Sequence, residues 1–244
     1  QRPLYFLTAA GIVNVVLNLF FVLVCGLGVA GVALATIISQ YISAALVLRC
    51  LMREEGPLKV SLKKLGLDWL VVFRILQVGL PAGFQGVIFS LSNVVIQSSL
   101  NSFDDSVLVA GSSAAANIEN FVYVSMNAFY QAAITFVGQN YGAGLCDRVD
   151  KVARQCIGFV VVTGLLLGNL VYIFGEPLAG IYAPGEPEVV RQAVIRMAYI
   201  ACPYFLCGTM DTLVGVLRGL GSSVIPMIVS LVGACGTRLL WVAL

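Results

Sequence analysis

The chain has 244 residues, of which 59% are hydrophobic and only 11% charged, with a mean hydropathy of +0.97; an ordinary soluble domain carries about 25% charged residues. These figures exclude a water-soluble globule and place the chain in a lipid bilayer. The net charge of +2 does not suggest nucleic-acid binding, and the absence of histidine excludes Ser-His and His-metal chemistry from these residues.

The expected fold class is all-α, a polytopic membrane protein with about seven transmembrane helices. A spanning helix needs about 20 apolar residues. No Asp, Glu, Lys or Arg occurs from Pro3 to Leu48, which is room for two helices, at 4–24 and 28–51, hinged at Gly26-Leu27-Gly28. In the second, the small residues Gly28, Gly31, Ala33, Ala35 and Ser39 would allow close packing on a neighbour. A polar connection follows from Arg53 to Asp68. Gly56-Pro57 breaks the helix there, and Leu58, Val60, Leu62, Leu65 and Leu67 interleave with Lys59, Lys63 and Lys64. Such a segment reads as a linker between two membrane halves, with lysines suited to anionic headgroups.

Further spans are expected at 72–101, 107–140, 152–174, 189–217 and 223–244. If Arg2 is cytosolic, the cytosolic ends collect Arg49, Arg53, Lys59, Lys63, Lys64, Arg74, Arg148, Lys151, Arg154 and Arg218. Only Arg191 and Arg196 are left outside, and Arg238 falls within the last span. Asp104 and Asp105 occupy one external turn; Glu176, Glu186 and Glu188 occupy another. The opening QRPLYFLTAAG has no basic region and no cleavage site of a signal peptide, and reads as an internal position in a longer protein. Seven cysteines without a CxxC pair indicate neither a disulfide framework nor a zinc site, and no metal site is expected.

Glu119 and Asp211 are the acidic residues in the middle of long apolar stretches. A charge at bilayer depth costs roughly 2.5–3.5 kcal/mol or more, so these carboxylates should face a protein interior or a watery cavity. Gln85, Phe89, Asn93 and Gln97 recur every four residues in the third span. In the fourth, Asn117, Asn120, Asn127 and Gln131 form one stripe and Glu119, Tyr123, Met126 and Tyr130 the adjacent one. This polar and aromatic face suits a water-filled cavity. There Glu119 would bind a coupling ion, and Phe89, Tyr123 and Tyr130 would hold a cation by their ring faces. The amides could equally bridge neighbouring helices, and Asp211 could pair with Arg218 or Arg238 instead of binding an ion. Pro81 and Pro203 are candidate hinges, since each removes a backbone hydrogen bond. Gly142 and Gly144 can end the fourth helix.

Four motifs carry a resemblance over essentially the whole chain: GVAGVALATIISQY (Gly28 to Tyr41), VGLPAGFQ (Val78 to Gln85), FVGQNYGAG (Phe136 to Gly144) and LRGLGSSVIP (Leu217 to Pro226). In order and spacing they resemble the multidrug and toxic compound extrusion (MATE) transporters of bacterial type. The resemblance implies helices five to eleven of a twelve-helix, two-lobe protein of the cell membrane. Residues 1–52 would be the last two helices of the N-lobe, 53–71 the cytosolic interlobe linker, and 72–244 a C-lobe without its last helix. It implies alternating access between lobes and efflux of lipophilic or cationic small molecules by antiport against H⁺ or Na⁺. No other cofactor is implied, and the partners are the bilayer and the parent transporter's remaining helices. Some members place an acid a few residues beyond GLP, where this chain has Gln85, Phe89 and Ser90. Others use an acid in the tenth helix, where Asp211 lies.

Other classes fit less well. A seven-helix receptor would have its N-terminus outside and, to hold retinal, a lysine in the last span. An intramembrane enzyme would need a catalytic constellation, and DDSVL lacks a second acidic cluster, so no enzyme is expected. The remaining rival is a lipid-linked or polysaccharide flippase of the same broad superfamily, whose cavity would hold basic residues where this one is expected to be acidic.

Overall fold

The structure, a computed structural model, describes residues 2–53, 59–61 and 66–243. Chain contacts divide it into two compact units, Gln1–Asp68 and Trp69–Leu244. The lysine-leucine segment lies partly outside the described residues, which include Lys59, Val60 and Leu67 but not Leu58, Leu62, Lys63, Lys64 or Leu65.

In the first unit, α1 (Arg2–Leu19) passes into a π-helical turn at Phe20–Val24, closed by the Cys25 N–H donating to the Phe20 carbonyl at 3.1 Å. The chain reverses at Gly26 and Gly28, whose φ angles of 63° and 52° favour residues without a Cβ. It returns as α2 (Gly28–Arg53). Gly31, Ala35, Ser39 and Ser43 are the buried residues of α2, one every fourth position, which is the spacing of a single helical stripe. A Cβ on Gly31 would lie 2.9 Å from that of Phe21, so glycine sets how closely the hairpin closes. Asn14 on α1 donates to the Ser39 hydroxyl at 3.1 Å. Gly28 and Ala33, expected on the packed face, are exposed.

The second unit is built around α4 (Ser106–Gly142), which packs on α5 (Cys146–Ile173), α7 (Pro187–Ile200) and α8 (Tyr204–Gly219). Asp105 caps α4, its carboxylate accepting from the Val107 and Leu108 N–H groups. The helix ends at Gly142, and the positive φ of 72° falls on Gly144 alone of the two glycines. Helix–helix contact in lipid depends on close approach rather than on expulsion of water. Glycines accordingly stand at the crossings. A Cβ at Gly168 would lie 2.2 Å from the Ala201 carbonyl oxygen, and one at Gly208 would lie 2.6 Å from Met126 Sδ. Two buried clusters fill the interior, Ala114, Ala115, Ile118, Ala179, Ala193 and Met197, then Val122, Met126 and Val160. Helix α3 (Trp69–Asn101) packs on α9 (Val224–Ser230) and on α10 (Thr237–Ala243). A π-helical segment at Leu231–Gly236 joins α9 to α10.

Among the described residues, five helices are long and apolar enough to cross a membrane: Leu4–Val24, Gly28–Arg53, Trp69–Asn101, Cys146–Ile173 and Val224–Trp241. The expected span at 189–217 is two helices, α7 and α8, bent by 53° at Ala201–Pro203, and this pair makes a sixth if counted as one. The expected span at 107–140 forms one 37-residue helix, α4, whose amides and carboxylate make it more polar than those five. The external turn expected from Glu176 to Glu188 contains a helix, α6 (Gly175–Tyr182). Apolar side chains such as Leu23, Phe84, Leu166 and Trp241 are exposed, as suits a surface bathed in lipid.

Candidate functional site

A cavity of about 720 Å³ lies within the second unit, lined by α3, α4, α7, α8 and α10. From α3 it receives Gln85, Phe89, Asn93 and Gln97, the full four-residue repeat. From α4 come Glu119, Asn120, Tyr123, Asn127 and Tyr130. Asn117 is not among the lining residues; it is exposed and donates to the Ser113 carbonyl at 3.0 Å, one turn back on its own helix. Gln131 and Met126 also fall outside the lining, and Met126 is buried in the core. Of the candidate hinges, Pro81 sits inside the continuous α3, whereas Pro203 lies at the bend before α8.

Glu119 is buried and makes a bidentate ion pair. Arg196 on α7 places Nη2 3.2 Å from Oε2 and Nε 3.4 Å from Oε1. The third corner of that guanidinium, Nη1, donates to the Ser112 hydroxyl, one α4 face holding both acceptors. Arg196, expected at the outer surface, is instead a cavity residue, and the carboxylate expected to bind a coupling ion already has its cation. A carboxylate at this depth needs such a partner, and a fork-shaped donor supplies it with defined geometry.

Asp211 also lines the cavity, on α8. Among the described residues it accepts no hydrogen bond and has no ion pair within 4 Å, Arg218 and Arg238 included. Asp211 therefore differs from Glu119 in having no matched cation in direct contact among the described residues.

Arg218, expected at a cytosolic helix end, turns into the same space. Its Nη2 donates to Gln85 Oε1 at 2.7 Å, its Nη1 donates to the Tyr130 hydroxyl, and its Cζ lies 5.8 Å from the Tyr130 ring centroid. Arg238 donates from Nη1 to Asn93 Oδ1 at 3.2 Å and holds Cζ 5.9 Å from the Phe89 centroid. Two of the three rings expected to receive a cation thus already face an arginine. Among the described residues the lining holds three guanidinium groups and two carboxylates, where acidic charge alone was expected. Residue counting by sidedness could not place Arg196 and Arg218, because their partners are 77 and 133 residues away in sequence. Tyr204 and Cys207, which complete the α8 wall, gave no separate sequence signal.

A family model described as MatE matches residues 81–242. The probable multidrug resistance protein NorM of Thermotoga maritima is 27% identical over 220 residues, covering 87% of this chain and 45% of that protein. The probable multidrug resistance protein YpnP of Bacillus subtilis is 28% identical over 232 residues, 95% of this chain and 51% of that protein. A crystal structure of MATE in complex with MaL6 superposes with a TM-score of 0.86 at 18% identity, over 96% of this chain and 54% of that one. The chain therefore spans about half the length of the curated relatives it matches.

Proposed function

Because the chain belongs to the MatE family, whose members are transporters and not enzymes, we propose that it takes part in efflux of small organic molecules by alternating access, driven by H⁺ or Na⁺. The first unit would belong to one lobe and the second to the other, with residues 53–71 as the cytosolic link. The multidrug names of the relatives support the substrate class. The observation that carries the mechanism is the unpaired carboxylate of Asp211 in a cavity whose other carboxylate is already matched.

A charge left without a partner in a cavity at membrane depth is costly, and an entering proton or sodium ion relieves that cost. The ion thereby favours whichever lobe arrangement holds it best, which is the differential interaction that alternating access requires. The bend at Ala201–Pro203 lies between Arg196 and Asp211, so a change of angle there would move one carboxylate site against the other. The organic-cation reading keeps support from Asp211 and Tyr123. The flippase reading gains it from Arg218 and Arg238, which provide the basic lining such substrates need.

The test is dye efflux from proteoliposomes holding the full-length protein, under separately imposed proton and sodium gradients. Efflux driven by one gradient and abolished by Asp211→Asn is expected. Gradient-driven efflux that persists in that variant overturns the coupling role, and absence of gradient-driven efflux by the unaltered protein under both ions overturns the antiport reading.

A further inference from the structure

Resting on that reading and naming its substrate class, we propose that the cavity binds an oxyanion, a phosphate or a comparably charged group on an aromatic or lipid body, between Arg218 and Arg238.

The argument begins from which cations are already neutralised. Arg196 spends its three nitrogens on Glu119 and Ser112, one carboxylate matching one guanidinium. Arg218 and Arg238 have no such match. Their hydrogen-bond acceptors are Gln85, Tyr130 and Asn93, all neutral, and no carboxylate lies within 4 Å of either among the described residues. Neutral acceptors aim a guanidinium without cancelling its charge. Each group has five N–H donors, and hydrogen bonds among the described residues use two on Arg218 and one on Arg238. Arg218 Nε is moreover buried with no hydrogen-bond partner. An unsatisfied donor on a charged group is expensive to bury, so the protein around this guanidinium does not fully match it.

Ring contacts strengthen the assignment. The Tyr130 and Phe89 rings stand near the two arginine side chains, which fixes planar donors in orientation and occupies surfaces a substrate cation would need. Planar, pre-oriented forks suit bidentate recognition of phosphate or carboxylate. Among the described residues that line the cavity, the acid without an ion pair is Asp211, on α8 two turns before Arg218. Its charge opposes the anion until a coupling ion neutralises it, so ion entry and anion binding would assist each other.

The experiment measures binding by calorimetry to the full-length protein in neutral detergent. Its probes are 1-naphthyl phosphate, a naphthylmethyl trimethylammonium cation with the same ring, and dihexanoyl phosphatidic acid. The phosphate is expected to bind at least roughly ten-fold more tightly than the cation, because losing one charge-assisted hydrogen bond costs about that factor or more. Arg218→Gln and Arg238→Gln should each remove most of that preference and the lysine variants should restore part of it, while Arg191→Gln, exposed and paired with Glu188, should leave it unchanged. Arg238 is exposed, so its variant remains informative if Arg218→Gln fails to fold. Tighter binding of the phosphatidic acid than of the naphthyl phosphate identifies a lipid headgroup as the source, and the reverse order a soluble aromatic anion. Equal or tighter binding of the cation, or a phosphate affinity indifferent to both arginines, overturns the inference while leaving gradient-driven efflux standing. Anion binding without any gradient-driven efflux has the opposite meaning.

Discussion

Arg196 and Glu119, 77 residues apart in sequence, meet across the α4–α7 interface with Nη2 3.2 Å from Oε2. The pairing joins the half of the broken α7–α8 segment that precedes the bend to the central helix of the unit. It gives a buried acid a fork-shaped cationic partner on a neighbouring helix.

Removing one partner should therefore hurt more than removing both. Breaking a buried pair costs about 3 kcal/mol or more, reduced toward about 1–2 kcal/mol here because the arginine is one-third exposed. Arg196→Gln, which leaves the carboxylate buried alone, should lower the apparent Tm in detergent more than Glu119→Gln does. The double variant should recover part of the loss. Additive losses in the double variant would show that the two groups do not act as a pair. Glu119→Gln should also retain gradient-dependent efflux, whereas loss of coupling with normal abundance would return the ion site to Glu119.

Close helix crossings make a second, purely steric prediction. A methyl group at Gly168 would sit 2.2 Å from the Ala201 carbonyl oxygen, a backbone atom that cannot swing aside. Gly168→Ala should cost about 1–3 kcal/mol as overpacking does, while Gly158→Ala on the same helix, with nothing within 4 Å, should be close to neutral. Thermal unfolding of the two variants side by side checks this, and an equal Tm for both would contradict the crossing geometry.

The bend at Pro203 predicts a kinetic effect. Ala201 already has helical angles, φ −65° and ψ −41°, and Pro203 interrupts the hydrogen-bond ladder just before α8. Pro203→Ala lets the ladder continue and should straighten α7 onto α8, shifting Arg196 relative to Asp211 and Arg218. Turnover should fall several-fold with ligand affinity changed less. Unaltered turnover would make the bend a static feature of packing. Pro81→Ala, within a continuous α3, should have the smaller effect.

Much of this architecture was legible from chain chemistry. Uncharged runs marked α1, α2, α3 and α5 because each is longer than a bilayer is thick, and the repeat Gln85, Phe89, Asn93, Gln97 put four lining residues on one face. The break at Ala201–Pro203 was hidden inside a run from Met197 to Met210 that has no charge to divide it until Asp211, although Pro203 was a visible marker. Arginine placement was the larger loss. Positive-inside counting assigns an arginine by its distance from a helix end, but a side chain this long reaches inward when an acceptor such as Glu119 or Gln85 waits on a neighbouring helix. Only tertiary structure pairs residues so far apart.

Orientation supplies the last prediction. Ser61 lies in the polar connection near Lys59, and Ser106 opens α4 directly after the acidic pair Asp104 and Asp105; both serines are exposed. The basic connection should remain cytosolic, since lysines and arginines flanking short loops resist translocation and acidic residues contribute little to that bias. In a background lacking the seven native cysteines, Ser106→Cys should react with an impermeant maleimide added outside intact cells, and Ser61→Cys should react only after permeabilisation. α3, long and apolar enough to cross a membrane once, separates the two sites, so they are expected to label from opposite sides. Reversed labelling would invert the topology, turning the side from which the cavity exchanges ions. Labelling of both from one side would mean that Trp69–Asn101 does not span the membrane at all.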